Sequence, residues 1–528
     1  MEEEEKLVSD AHVQLLQTAQ PQEDTAIEEA KRQKGRELDD ALYAALLSRA
    51  HSDQACALVD AVTKTIAEHE LAGGLRANKR DKKQKELRSA VESTLADLLQ
   101  AQASEKAKGY VYRPMRPDGF TGQAVSYRTF RSLTNALVDL GFLKSHKGFQ
   151  VWRDRDDTLG PSSPFMQRAT RFRATQRLLD MFAQHGITAA DFHMHFLIPL
   201  PENPLQLRTG SSRNQYGDKI KGKSLPITPT VQTKELERQL KQLNEFFDGF
   251  ELQGGLHRGY LRVFNNGDHP KFNWDMGGRL YGYGGFGYQL LDRADRLRMT
   301  INDEPLCEID IRASYLTIFH ALYGQRFHAE RDPYDVPGLG PETRDIVKMW
   351  ITASFGNNAP ITKWPRELVA KYYERTGTKL GQRYSASKIS AKVLQAFPLL
   401  ARLGEAVEGR ERGWAELMFI ESQAMLGTML ALMHKKIPSL AVHDSIIVPL
   451  SQVDEATYLL RHWYHRYAKV WPVLVSHFPE GHHEPPSGFR ANAISEHGND
   501  LLDQGSVDPQ SGPKDTDDPW KGRDPYDL

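Results

Sequence analysis

Residues 306–324 read LCEIDIRASYLTIFHALYG. The first six alternate, so Glu308 and Asp310 fall on one face of a strand and Cys307, Ile309 and Ile311 on the other. An apolar helical stretch, residues 313–322, follows directly. A carboxylate at the end of an apolar strand is costly unless something neutralises it, and a metal ion is one such partner. A second stretch, residues 439–450, SLAVHDSIIVPL, answers the first. There His443-Asp444 interrupts two apolar half-strands, the pattern of a hairpin with an acid at its tip. An aspartate that only caps a turn gives the same local pattern.

Composition places few limits on partners. A chain of 528 residues has room for two to four domains. Its 40% hydrophobic and 26% charged content suits a globular protein, and a net charge of −1 points to no partner by itself. Two cysteines, Cys56 and Cys307, make no disulfide framework, which fits a reducing, cytoplasmic setting. No apolar run reads as a membrane span, so no membrane partner is expected. The opening MEEEEK is acidic and is not a signal peptide.

Taken in order, residues 1–108 read as a helical, partly disordered N-terminal region. Leu38, Leu42 and Leu46, then Leu58, Val62 and Ile66, recur at i, i+4, i+8 and predict helix over 38–71. Residues 76–88, RANKRDKKQKELR, are the densest basic run; they are either a solvated helix face or a contact to a nucleic-acid backbone. Residues 109–187 follow the order helix (126–140, with Ser126 as N-cap), strand (142–152), loop (153–163), strand (170–175), closing helix (176–185). That order resembles a winged helix-turn-helix, used either on DNA or for protein contacts. Arg128, Arg131, Lys144, Lys147, Arg171 and Arg173 are the candidate DNA contacts. His193 and His195 alternate on an expected strand and lack a third ligand at metal spacing. Residues 197–231 read as a linker and 233–247 as an amphipathic helix, within a segment 188–255. Residues 256–480 form the main block, and 481–528 compose a disordered tail.

The main block carries four stretches in a fixed order. Residues 275–298 are rich in Gly, Tyr and Arg, which supply close turns, stacking faces and phosphate partners. The Asp310 strand and helix come second. In the third, residues 341–356, Arg344, Lys348 and Phe355 are spaced i, i+4, i+11 and share one helix face. Two cations and a ring on one stripe suit a triphosphate and a base, or equally surface charge beside a core Phe. The fourth is a helix at 421–435 leading into the Asp444 hairpin.

Together these stretches resemble the polymerase domain of family A DNA polymerases, over residues 256–450, and proteins of phages and mobile elements that share it. GGRLY at 277–281, with Gln289 and Arg298, resembles that family's Gly-Arg-Leu element; EIDIRASYL its first catalytic motif; Arg344, Lys348 and Phe355-Gly356 its fingers helix; VHDS its last motif. The resemblance implies an α+β fold, with an antiparallel palm sheet, helical fingers and a thumb-like segment upstream. It implies that Asp310 and Asp444, with the Ile311 carbonyl, hold two Mg²⁺ ions (or Mn²⁺) about 3.5–4 Å apart. It further implies that Arg344 and Lys348 neutralise phosphate charge, and that Arg279, Arg298, Tyr315 and Phe355 bind the nucleotide. His443, Glu421 and Gln423 would meet the primer or template, although a packed histidine and structural helix residues fit equally. The partners implied are a DNA or RNA primer-template with dNTPs or NTPs, in replication or repair of a mobile element.

There are departures. Ser445 follows Asp444 where family A DNA polymerases have Glu, and single-subunit phage-type RNA polymerases have His-Asp-Ser. Tyr315 stands where family A has Glu; family B polymerases carry Tyr there as a gate against the ribose 2′-hydroxyl. Asp310 and Asp444 lie 134 positions apart, which implies reduced fingers. Two other readings follow from these departures: a non-catalytic DNA-binding replication initiator with a degenerate palm, and a single-subunit RNA polymerase or primase.

Overall fold

A computed structural model describes residues 38, 40–74, 81–120, 125–151, 166–213, 219–220, 222–284, 287–407, 410–411 and 413–482. The expectations for residues 1–37, 75–80, the loop 153–163 and the tail beyond 482 lie outside the described residues. The chain is mixed α+β and divides into two compact units, Met1–Pro199 and Leu200–Leu528.

In the first unit, strand β1 (Leu42–Tyr43) precedes helices α1 (Asp53–Ala72) and α2 (Asp81–Ala103). Strand β2 (Tyr110–Arg113), helix α3 (Tyr127–Asp139), strands β3 (Leu143–His146), β4 (Phe149–Val151), β5 (Met166–Arg168) and β6 (Thr170–Ala174), and helix α4 (Gln176–Gln184) follow. The main sheet has the order β1-β2-β6-β3, with β1 parallel to β2 and the other pairs antiparallel; β4 and β5 pair apart from it. Ser126 Oγ accepts the Thr129 N–H at 3.2 Å and starts α3, which buries Phe130, Leu133 and Leu137. The helix expected over 38–71 begins only at Asp53. Residues 40–52 hold two short strands joined by irregular chain, with Leu46 left-handed at φ 60°, and Ala44 and Leu46 are buried, so the apolar spacing reflects core burial without a helix. His193 and His195 sit on a short helix, Phe192–His195, and not on a strand; buried His195 shares a hydrogen bond with Ser52 Oγ at 2.8 Å.

In the second unit, the presumed linker carries strand β7 (Leu205–Arg208), ahead of helix α5 (Val231–Asp248). Strands β8 (Tyr260–Phe264) and β9 (Gly277–Gly282) complete a four-stranded sheet with β7 and Ser224–Leu225. Helix α5 packs on this sheet through Leu236, Leu240, Leu243 and Phe247. The second sheet centres on β10 (Glu304–Ile311). Helices α6 (Ser314–Leu322), α7 (Arg344–Asn357) and α8 (Trp414–His434) follow, then β11 (Leu440–Val442), β12 (Ser445–Pro449), α9 (Val453–Ala468) and β13 (Leu474–His477). Strand β10 pairs antiparallel with β12 along one edge; its other edge takes Thr300–Ile301 at the start and β13 at the end.

Helix α8 is apolar on nearly every face, as a helix buried on all sides must be. It is long and apolar enough to cross a bilayer by length and composition, contrary to the sequence reading, and most of it is buried inside the unit. Its closest neighbour is α9. At Gly427 the absent side chain makes room for the indole of buried Trp463: a Cβ there would lie 2.6 Å from that ring. Gly427→Ala is therefore expected to destabilise the protein by about 1–3 kcal/mol through overpacking, despite alanine's better helix propensity. Urea unfolding checks this; a variant as stable as the parent contradicts the tight contact.

Candidate active site

The two acidic residues singled out in the sequence stand at the ends of neighbouring strands. Asp310 pairs across the sheet with Ser445, and the Ile311 N–H donates to the Asp444 carbonyl at 3.1 Å. Val442 pairs with Ser445, so His443-Asp444 is a two-residue hairpin loop. His443 has φ 57°, in the left-handed region, and is exposed. Ala313, between the Asp310 strand and α6, is also left-handed at φ 52°. Two non-glycine residues in this region flank the acids, a kind of local strain that clusters at functional sites.

The hairpin is anchored from the other sheet. Ala441, on edge strand β11, donates its N–H to Tyr260 Oη at 3.0 Å. Its carbonyl accepts from Tyr288 Oη at 2.5 Å and Gln289 Nε2 at 2.8 Å. The two tyrosine hydroxyls are themselves 2.6 Å apart. A buried strand edge is thereby satisfied by side chains in place of a further strand.

Glu308 and Asp310 share a face, as their alternation predicts, and two arginines from the short helix Arg293–Arg296 meet them. Arg296 grips buried Glu308 with two hydrogen bonds, 2.8 and 2.9 Å. Arg293 lies 3.4 Å from Glu308 Oε1 and 3.5 Å from Asp310 Oδ2. Asp310 Oδ1 also accepts from Ser445 Oγ at 2.8 Å. The sequence reading chose Arg298 from this stretch; Arg298 is instead highly exposed and pairs with Asp295 at 2.8 Å. Arg293 and Arg296 were missed. The repeated Arg in DRADRLR was their only signal, and spacing alone does not say which Arg faces the sheet.

On the far side, Arg279 on β9 forms an ion pair with Glu421 on α8, which is 1% exposed. Burial, the largest single effect, lowers the Arg279 pKa, but the charge and hydrogen bond of Glu421 together with Tyr315 and Tyr281 outweigh it, and the net shift is upward. Arg279 Nη2 also donates to Tyr315 Oη at 3.3 Å. Gln423 accepts a hydrogen bond from buried Arg262 of β8. Asp444 faces this group. Its pKa rises from an ordinary 3.8 to about 7, chiefly through burial and then through repulsion from Glu421 and Asp310, partly offset by Arg279.

Helix α7 presents its expected stripe unevenly. Arg344 and Lys348 are exposed at its start and lie over the Tyr334 ring, at 5.4 and 5.6 Å. Arg344 also pairs with Asp332 at 2.5 Å. Phe355, near the end of the helix, is 2% exposed and meets Tyr315 and Phe319 edge-on at 5.8 and 5.6 Å. It is a packing ring here, not an open stacking surface. Tyr334, which the sequence reading passed over, is the ring both cations share. Its pKa is pushed up to about 12 by burial first and then by Asp444, with Arg344 opposing and Asp332 and Asp310 adding.

The oxygen donors fit a hard dication. Magnesium is commonly held by one or two carboxylates, with phosphates and waters filling its shell. Asp310 and Asp444 supply two carboxylate-bearing residues at adjoining strand ends, of the donor type such an ion takes. Among the described residues, no group of three or more His, Cys, Asp or Glu stands at metal-holding spacing.

In the first unit, Arg128 and Arg131 are exposed on α3 and line an open groove of about 480 Å³ with Pro117, Tyr127, Ser132 and Asn135. Lys144 and Lys147 are exposed, and Arg173 lies over Tyr110 at 5.2 Å. Arg171 is buried and bonds the Leu38 and Ala169 carbonyls, at 2.9 and 2.5 Å, so it is structural and not a surface contact.

Comparison of the sequence with protein families and with curated proteins returns no match. Solved structures do match. One is the POL domain of Pol1 from M. smegmatis in complex with DNA primer-template and dNTP, at 16% identity and a TM-score of 0.24. The match covers 46% of this chain and half the length of that one. At that TM-score the likeness does not establish a shared fold.

A carboxyl whose folded pKa is raised binds its proton more tightly in the native than in the unfolded state. Its contribution to stability is lost as pH rises from the ordinary carboxylate range through about 7. Asp444→Asn removes that loss. Without divalent metal at pH 8, the variant is expected to melt about 2–4 °C above the parent, and the gap should close toward pH 4. Asp97 in the first unit is raised to about 7 by burial as well, but it is present in both proteins and cancels in the difference. Equal melting temperatures across this pH range would contradict the crowding of Asp444.

Proposed function

We propose that the chain is a template-directed nucleotidyltransferase of DNA polymerase type, extending a primer 3′-hydroxyl. One observation carries this reading. Asp310 and Asp444, 134 positions apart, stand at adjoining strand ends of one sheet, and Arg344 and Lys348 of one helix gather over a single ring, Tyr334.

In this reading Asp310 and Asp444 hold Mg²⁺, which when bound supplies Lewis-acid charge for the phosphate oxygens and lowers the pKa of the primer hydroxyl. The chain's own residues do the rest. Arg344 and Lys348 take the phosphate charge, Arg344 exchanging Asp332 for the nucleotide. The buried Arg279–Glu421 pair holds the Tyr315 hydroxyl where it would meet the sugar. Exposed His443, at the hairpin tip, is placed for the primer terminus. Arg128 and Arg131, with Lys144 and Lys147, offer a cationic surface for a DNA backbone, in a helix–strand–strand order like that of winged-helix domains.

A second reading, a DNA-binding initiator without catalysis, draws on Asp310 being already engaged by Ser445 and Arg293. Primer extension with labelled dNTPs or NTPs and Mg²⁺ separates the two. Extension is expected, with Asp310→Asn and Asp444→Asn each lowering the rate by about a thousandfold. Incorporation that survives both changes sinks the assignment, and no incorporation by the parent favours the initiator. Tyr315→Ala is expected to raise the use of NTPs relative to dNTPs by about tenfold, read as the ratio of kcat/KM values; an unchanged ratio removes Tyr315 as the sugar gate.

A further inference from the structure

Helix α9 lies outside the site just described and carries an unusual surface. Tyr458 is 48% exposed and stacks with His462, ring centroids 6.5 Å apart and planes at 27°. Lys469 ends the helix in a left-handed conformation, φ 59°, and the chain turns back. That reversal lays Trp471, 43% exposed, against His465 at 4.0 Å and 15°. Arg461 lies 5.9 Å from the same indole. One ring of each pair, Tyr458 and Trp471, thus faces solvent, each backed by a half-buried histidine; Tyr458 and His465 stand seven residues apart on the helix, or about 10 Å of rise. Half-buried Arg461 and exposed Lys469 accompany them; of the two acids in the first turn of the helix, Glu455 is paired with Lys435 at 3.2 Å and Asp454 is exposed.

We propose that this surface is a stacking platform for single-stranded nucleic acid. Flat exposed rings beside fixed cations match unpaired bases joined by phosphates, because every base has a π-face and every linkage a negative charge. A duplex hides its base faces and gains little from such rings. The proposal rests on the reading above only in expecting a nucleic-acid partner. It assigns the single-strand contact to a surface that the catalytic assignment does not use.

The test is binding of the full-length chain to a fluorescent oligothymidylate, followed by anisotropy, with a 5-bromouridine oligonucleotide for photo-crosslinking. The Tyr458→Ala/Trp471→Ala variant should bind about tenfold more weakly, Trp471→Phe close to the parent, and duplex of equal length should compete poorly. Affinity should fall as salt rises. Crosslinks should map to residues 458–471. Because both side chains are exposed, circular dichroism and thermal melting should match the parent; if the double variant misfolds, Arg461→Gln takes its place with the same expected direction. Parent-like affinity in the folded variant, crosslinks elsewhere, or binding to anionic phospholipid vesicles but not to the oligonucleotide would each overturn the platform. An inactive polymerase site would leave these readouts unmoved, so the two proposals fail separately.

Discussion

Four carboxylates are linked at one end of a buried sheet, and three arginines offset them. Glu308 and Asp310 come from one strand, Asp444 from the hairpin beside it and Glu421 from the core helix α8. Arg296 and Arg293 answer the first two, and Arg279 answers Glu421. Two of the acids, Glu308 and Glu421, are almost wholly withdrawn from water, where an unpaired charge is severely penalised. The pairings are therefore conditions for the fold. Asp444 keeps its proton up to about pH 7, chiefly because it is buried and then because Glu421 and Asp310 repel its charge, with Arg279 only partly offsetting them.

The backbone around the acids is held to match. Tyr260, Tyr288 and Gln289 satisfy both polar groups of Ala441, so the last strand before the hairpin is sealed from a different sheet. Asn244 in turn bonds the Tyr260 backbone through both its amide atoms, at 2.7 and 3.2 Å, which ties helix α5 to the same support. Such preorganised support is what a site requires if its charged groups are to hold position when a ligand arrives. Two tyrosines complete the surroundings: Tyr315 joins Arg279 to the packed Phe355, and Tyr334 lies under the exposed cations of α7.

Local rules carried the sequence reading a long way because strand and helix periods are set by neighbours along the chain. Alternation alone put Glu308 and Asp310 on one face, and that is where they lie. Ser126 before an amphipathic run predicted the start of α3, and the cap hydrogen bond is present. The same rules failed where burial mimics a period. Leu42 and Leu46 sit at helical spacing in a non-helical segment, Leu42 half-buried on a short strand and Leu46 buried in a left-handed conformation. Apolarity marks the core but not the conformation that reaches it.

What the sequence by itself determined is the identity and order of the groups: an acid ending an alternating strand, an acid in a two-residue hairpin loop, and a helix with Arg344 and Lys348 one turn apart. Tertiary structure decided who partners whom. It chose Arg293 and Arg296 over Arg298, turned Phe355 into core, buried Arg171 against backbone carbonyls and brought in Tyr334. The reason is physical. Periodicity is a property of consecutive residues, whereas an ion pair or a ring contact depends on which distant surfaces the packed core brings within a few ångströms.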